Sequence, residues 1–229
     1  MKQLPLNLSL PTPLTFDDFL IGPNLEVFEQ LKCLALGSLN ECALYLWGDI
    51  GVGKTHLLLA TVALACENGR CVHYCNVAQT ALTDVMGDCD LLVIDHVDQL
   101  ASSEQTQLFA LYNSQRDSGR SFLAAGAVAP GKLALREDLK TRLGWGLIYH
   151  VLAPADDDKA ALLRHRARSR GYEIGEDVCR YLVTHAKRDL GSLTALLDWL
   201  DREALASQRL LTLPFVRDAL KRFYVLPTL

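Results

Sequence analysis

A glycine-rich motif at residues 48–55 constrains the fold of this chain more than any other feature. The motif reads Gly-Asp-Ile-Gly-Val-Gly-Lys-Thr. It follows a short apolar, β-prone run at 44–47 and precedes an apolar run at 57–65 that favours a helix. A strand, a Gly-x-x-x-x-Gly-Lys-Thr loop and a helix, in this order, form a phosphate-binding loop, or P-loop. The alternative is a glycine-rich turn that matches by chance, and the flanking strand and helix argue against it.

The residues of this loop have distinct expected roles. Glycines adopt backbone angles that are closed to other residues, so that successive N–H groups converge on a β-phosphate. Lys54 is expected to reach the β- and γ-phosphates, and the Thr55 hydroxyl is expected to ligate Mg²⁺. The predicted nucleotide-binding residues of the loop are Gly48, Gly51, Val52, Gly53, Lys54, Thr55 and His56.

A second motif lies at residues 91–95, where four apolar residues end in Asp95. A continuously apolar strand is typical of a parallel sheet that is covered on both faces. The acid at its carboxyl end is expected beside the P-loop, where it binds Mg²⁺ through water. Asp95 therefore joins Thr55 as a predicted metal-site residue and completes the predicted nucleotide site; the alternative is an acid that caps a strand end. Runs at 71–76 and 121–126 are further predicted strands.

Composition limits the possible function classes. With 229 residues, of which 50% are hydrophobic, the chain can form one large domain or a large and a small one. A net charge of -4 argues against a protein that coats nucleic acid, although a local basic patch remains possible. The seven cysteines have no paired metal-binding spacing and indicate reduced thiols. We find no signal peptide and no apolar run of about 20 residues, and expect a cytoplasmic protein without a membrane span.

Two features weaken the predicted γ-phosphate side of the site. His96 follows Asp95, at a position where many ATPases of this architecture carry an acid that orients the attacking water. An imidazole accepts a proton but supplies no fixed negative charge. The predicted strand at 121–126 continues into Ala127, Val128 and Ala129, without the polar sensor that related ATPases carry there. We therefore expect the chain's own ATPase activity to be weak or absent.

The first 13 residues contain three prolines and alternating leucines, which favour an extended segment. Residues 3–8, Gln-Leu-Pro-Leu-Asn-Leu, resemble the peptides that bind the bacterial sliding clamp. This resemblance implies that Gln3, Leu4, Leu6 and Leu8 bind a partner. The alternative is a first strand that packs on the protein's own core.

Residues 155–229 read as helices only, which predicts three parts: a tail at 1–13, an α/β domain at 14–154 and a helical domain at 155–229. Four arginines alternate along one predicted helix, at positions 164, 166, 168 and 170. Alternate positions spread around a helix, so this pattern favours a solvated surface over a nucleic-acid patch.

Residues 139–146, Leu-Lys-Thr-Arg-Leu-Gly-Trp-Gly, resemble the box VII region of the DnaA initiators, whose arginine reaches the ATP of a neighbouring subunit. The resemblance implies an AAA+ fold, in which a parallel P-loop sheet flanked by helices is followed by a small all-α lid, and it implies ADP or ATP with Mg²⁺ as ligand. It makes Arg142 the candidate arginine finger. It also aligns Gly191 with an expected lid arginine, a role open to the nearby Arg188.

The chain as a whole is similar to Hda-like regulators of the DnaA-related family. It combines the leucine-rich tail, the AAA+ region and the lid, and it leaves no room for DnaA's C-terminal helix-turn-helix. This similarity implies negative regulation of replication initiation, in which the chain binds the polymerase sliding clamp (β subunit) and stimulates hydrolysis of DnaA-bound ATP. DNA contact is then mainly indirect, through the clamp, and a homodimer or homo-oligomer is possible. The alternatives are a helicase loader or other ATP-hydrolysing DnaA-like factor, a scaffold with a relic P-loop, and a small-molecule kinase.

Overall fold

A computed structural model of the chain describes residues 14–186 and 190–223. The strands in chain order are β1 (Ala43–Trp47), β2 (Val72–Asn76), β3 (Leu91–Asp95), β4 (Ser121–Gly126) and β5 (Leu147–His150). The helices are α1 (Leu25–Ala35), α2 (Lys54–Glu67), α3 (Ser102–Asp117), α4 (Glu137–Leu143), α5 (Asp156–Ser169), α6 (Glu176–His185), α7 (Leu190–Ser207) and α8 (Leu213–Phe223).

The five strands form one parallel sheet in the order β2-β3-β4-β1-β5. Strand β4 therefore lies between β1, which leads into the glycine-rich loop, and β3, which ends at Asp95. The pairs Trp47↔Gly126 and Asn76↔Asp95 show that the carboxyl ends of these strands share one edge. The predicted parallel sheet, flanked by helices and followed by a helical region, is confirmed.

Burial explains why the sequence predicts four of these five strands but not β5. All five residues of β3 are buried, as a continuously apolar run predicts. Among the strands of the described residues, β5 pairs only with β1, and its four residues alternate between half-buried and exposed. This edge strand was not predicted, because four residues after the Gly-Trp-Gly segment give little periodicity.

The chain separates into two compact units. The first comprises Met1–Phe19, Glu26–Gly48 and Lys54–His150, and contains the sheet. A core cluster within it includes large side chains from three strands and from α3: Tyr45, Ile94, Phe122, Leu108 and Tyr112. In the described part of the chain, no helix is long and apolar enough to cross a membrane.

The second unit comprises Leu20–Leu25, Asp49–Gly53 and Val151–Leu229. Its core contains side chains of all four helices α5 to α8, among them Leu163, Leu182, Leu197 and Phe215. Asn24, only 2% exposed, bonds the backbone of Leu152 twice: its Nδ2 donates to the Leu152 carbonyl at 2.9 Å, and its Oδ1 accepts from the Leu152 N–H at 2.8 Å. These two bonds attach the segment before α1 to the start of the helical region.

Two of the four alternating arginines, one on α5 and one directly after its end, have a structural role in this unit. Arg166 and Arg170 both bind the carboxylate of Asp198 on α7, with N–O distances of 3.2 and 2.7 Å. Two of the four alternating arginines therefore join helices within the unit, which supports the solvated-surface interpretation over a nucleic-acid patch.

Gly146 is a sensitive position for stability. A Cβ at this position would overlap the backbone carbonyl of Ala43, where β5 begins to pair with β1. We predict that Gly146→Ala lowers the free energy of unfolding by about 2–3 kcal/mol, because neither backbone can yield cheaply. Urea denaturation measures this loss. Gly131→Ala is the control, since a Cβ there meets open space; equal effects of the two substitutions would contradict the prediction.

Candidate functional site

The glycine-rich loop has the backbone conformation that its sequence requires. Gly51 and Gly53 have φ angles of 80° and 103°, which residues with a Cβ rarely adopt. The loop leads directly into α2, which begins at Lys54. The free N–H groups at the start of this helix carry partial positive charge, so the loop and the helix together favour an anion.

The Lys54 side chain turns back toward Gly48, the first residue of the motif. Its Nζ donates a hydrogen bond to the carbonyl oxygen of Gly48 at 2.6 Å. The ammonium group is thereby held at the start of α2, where a point charge complements the backbone donors.

Thr55 and Asp95 meet at the carboxyl edge of the sheet, as the sequence predicts. The Thr55 hydroxyl donates to Asp95 Oδ2 at 2.7 Å. Asp95 is 1% exposed, and it accepts two further hydrogen bonds, from the Tyr74 hydroxyl at 3.3 Å and from the His96 N–H at 2.9 Å. Such bonds offset the large cost of burying a carboxylate. The hydroxyl and carboxylate oxygens are of the kind that Mg²⁺ prefers.

Tyr74 is a site residue that sequence reasoning missed. It lies on β2, and its hydroxyl reaches across to the end of β3. Burial, and then the negative charge and hydrogen bond of Asp95, raise the pKa of Tyr74 above its usual value. The phenol therefore stays protonated and remains a donor to Asp95. The alternating side-chain directions of a strand beside β3 were the one available signal.

His96 has an unusual backbone. Its φ of 58° and ψ of 41° lie in the left-handed region, which costs a non-glycine residue about 1 kcal/mol or more. The His96 N–H donates to Asp95 Oδ1 at 2.9 Å, and the imidazole Nε2 lies 3.8 Å from Asp95 Oδ2. The side chain that replaces the expected acid therefore lies beside the buried carboxylate.

Asp98 and the end of β4 are joined to each other. The Asp98 carboxylate accepts a hydrogen bond from the Ala127 N–H at 2.9 Å. A Cβ at Gly126 would overlap the Tyr45 hydroxyl and lie 3.2 Å from Asp98 Oδ1. Glycine is thus needed where β4 ends, and one oxygen of the Asp98 carboxylate is bound to the backbone there.

His56, predicted to bind nucleotide, contacts the segment before α1. Its Nε2 lies 2.8 Å from the Thr15 carbonyl oxygen, and its ring lies 5.5 Å from the Phe19 ring. Since a carbonyl only accepts, Nε2 carries the proton. Phe16 and Phe19 are both buried and pack on Phe28, so these rings belong to the hydrophobic core.

Arg142, the candidate arginine finger, lies in the last turn of α4 and is half-buried. Its guanidinium carbon lies 3.9 Å from the centre of the Trp145 ring and 5.5 Å from that of Phe109. Arg116, on α3, lies over the same indole at 4.4 Å. Contacts of this kind contribute about 0.5–1 kcal/mol each at exposed sites.

The location of Trp145 and Arg116 relative to strand β1 shows where Arg142 lies with respect to the sheet. Trp145 and Arg116 line an open cavity of ≈ 400 Å³ together with Ala43, the first residue of β1. The glycine-rich loop follows Trp47, the last residue of the same strand. The indole that holds Arg142 and the predicted phosphate site are therefore at opposite ends of β1, about 13 Å apart along the strand.

A family model for the bacterial DnaA ATPase domain matches residues 10–150, which is more than half of the chain. The chain belongs to the bacterial DnaA ATPase domain family. A second model, described as the Hda lid domain, matches residues 156–220. These matches identify an Hda-like, DnaA-related AAA+ protein and support a role as a DnaA-related replication regulator.

Solved structures of DnaA proteins share the fold. Domain III of the Thermotoga maritima replication initiation protein DnaA has 22% identity and a TM-score of 0.79, covering 93% of this chain and 99% of that one. AMPPCP-bound DnaA from Aquifex aeolicus has 21% identity and a TM-score of 0.71, covering 82% and 65%. The Thermotoga maritima RuvB branch migration motor has 16% identity and a TM-score of 0.70, covering 91% and 72%.

Proposed function

We propose that this chain regulates replication initiation by stimulating hydrolysis of the ATP bound to a DnaA initiator, with Arg142 as an arginine finger in trans. In this proposal its own P-loop binds ADP or ATP with Mg²⁺ and hydrolyses it slowly or not at all. A tail peptide binds the polymerase sliding clamp, which brings the regulator to DNA.

The chemistry of the P-loop supports nucleotide binding. The glycine conformations, the start of α2 and the Lys54 ammonium offer donors and positive charge to two phosphates. Thr55 and Asp95 would hold Mg²⁺. When bound, the ion would neutralise phosphate charge. The AMPPCP-bound DnaA relative, which has the same fold, agrees with an adenine nucleotide in this position.

Three substitutions support weak hydrolysis at this site. His96 replaces the usual acid, and Asp98, the nearest other carboxylate in sequence, bonds Ala127. The end of β4 carries alanines in place of a polar sensor. Gly191, at the position of the expected lid arginine, is exposed at the start of α7; Arg188, the candidate substitute, lies outside the described residues.

One observation carries the proposal that Arg142 acts in trans. Its guanidinium lies beside the amino end of β1, whereas the P-loop lies beyond the carboxyl end. Among the described residues, no carboxylate oxygen lies within 4.0 Å of its guanidinium nitrogens. An arginine that is remote from its own nucleotide and carries no ion pair is suited to a phosphate on another molecule.

The expected effect is large enough for a regulator. An arginine finger that is supplied in trans accelerates nucleotide hydrolysis by about 10³–10⁵, or about 4–7 kcal/mol of transition-state stabilisation. The chain needs no catalytic residues of its own to exert this effect, since the partner's site supplies the metal and the water.

Arg142→Ala tests this proposal. We predict that the variant keeps its thermal stability and its nucleotide binding but loses stimulation of DnaA-bound ATP hydrolysis by about 10³-fold or more. A single-turnover assay with labelled ATP on DnaA measures the rate.

Lys140→Ala is the matched control, because it removes a positive charge from the same helix that is already paired with Glu137. Its stimulation should stay close to that of the wild type. Unchanged stimulation by Arg142→Ala would refute the proposed role. Rapid ATP turnover by the purified wild-type chain alone would favour the helicase-loader alternative.

The clamp-binding peptide rests on sequence alone, since Gln3, Leu4, Leu6 and Leu8 lie outside the described residues. We predict that changing the three leucines together to alanine abolishes binding to the sliding clamp in a pull-down, because clamp peptides bind through apolar side chains. The melting temperature should not change. A large fall in melting temperature with clamp binding retained would instead support a strand packed on the protein's own core.

A further inference from the structure

Two aromatic rings flank the guanidinium of Arg142, from different parts of the first unit. Trp145 follows Arg142 by three residues, just past the end of α4, and its ring centre lies 3.9 Å from the guanidinium carbon. Phe109 on α3 lies at 5.5 Å. The closer contact is with Trp145, whose side chain is 49% exposed and therefore stays accessible to a second molecule.

The kind of contact is important for an arginine that acts on another molecule. A carboxylate partner would hold the guanidinium by charge-assisted, often bidentate hydrogen bonds, and it would compete with an incoming phosphate. An aromatic face holds the same group more weakly and leaves its five N–H donors unused. A ring contact can therefore orient the side chain without occupying the donors that a phosphate needs.

We propose that Trp145 is a positioning residue for Arg142, which its indole face holds extended and ready to bind a phosphate of the partner's nucleotide. The inference rests on the proposed function of Arg142. In this proposal the rate of stimulation depends on the Trp145 ring, although that ring never touches the nucleotide.

The surroundings of the ring support this role. Arg116 places a second guanidinium 4.4 Å from the same ring, and like charges keep the two arginines from pairing with each other. Glu41 lines the adjoining cavity with Arg116 and Trp145. Among the described residues, however, no carboxylate lies within 4.0 Å of the guanidinium nitrogens of Arg116 or Arg142. Arg116 and Arg142 therefore present two positive charges next to the Trp145 ring on this surface.

The competing explanation is that Trp145 only packs the end of α4. Leucine and phenylalanine distinguish the two, since both fill apolar space but only phenylalanine offers a π face. We would compare Trp145→Phe with Trp145→Leu in the hydrolysis assay, with DnaA-bound ATP as substrate. Varying the concentration of the variant separates the maximal stimulated rate from the half-maximal concentration.

We expect Trp145→Leu to lower the maximal rate about fivefold while the half-maximal concentration changes less than about twofold. Trp145→Phe should keep the rate within about twofold of the wild type. Equal losses in both variants would indicate that Trp145 has only a packing role. Rates equal to the wild type in both variants would indicate that it has no role. Either result overturns the proposal. Arg142→Ala in the same assay distinguishes failure of the Trp145 proposal from failure of the arginine finger, because stimulation retained by that variant refutes the finger itself.

A spectroscopic readout tests the contact without any partner. In a chain with Trp47→Phe and Trp199→Phe, Trp145 is the sole tryptophan, because the sequence contains three. Adding Arg142→Ala removes the guanidinium from its ring and should change the intensity or maximum of its fluorescence. Adding Lys140→Ala instead should leave the emission unchanged. An emission that is indifferent to Arg142→Ala would show that the stack does not form in solution and would overturn the proposal.

Discussion

The hydrogen bond from the Thr55 hydroxyl to the Asp95 carboxylate joins the two halves of the proposed nucleotide site. It connects the first turn of α2 to the end of β3, although 40 positions separate the two residues in sequence. The bond is possible because the sheet is parallel, so that strands on either side of β4 end at one edge. A buried carboxylate at that edge is stable only with donors, and Thr55, Tyr74 and His96 supply them.

The same parallel sheet separates the two proposed activities. The P-loop lies at the carboxyl edge. Lys54, Thr55 and Asp95 there suit a diphosphate and its metal ion. His96 and the alanines after β4 supply little that would promote attack on a γ-phosphate. The indole that supports Arg142 lies near the start of β1, at the other edge. One strand's length therefore separates the arginine from its own P-loop, which is the geometry expected of a protein that acts on another molecule's nucleotide.

Motifs whose residues are close in sequence were predictable, because local backbone requirements specify them. The P-loop and the strand ending in Asp95 were of this kind, and the continuously apolar character of that strand in turn predicted a covered parallel sheet. The Tyr74 bond to Asp95 was not, since it depends on the register between β2 and β3. The Asp98 bond to Ala127 joins residues 29 positions apart, and the contact between Arg142 and Trp145 depends on how the chain leaves α4. Those features follow from tertiary geometry, which spacing alone does not encode.

In the proposed function, the guanidinium of Arg142 acts on a nucleotide bound to another molecule. The most direct measurement follows labelled ATP loaded either on this chain alone or on a DnaA initiator, before mixing with the other protein unlabelled. The account predicts that label on the initiator converts to ADP within the stimulated single turnover, while label on this chain stays largely unhydrolysed. Rapid conversion of the label on this chain, with the initiator's label unaffected, would contradict it.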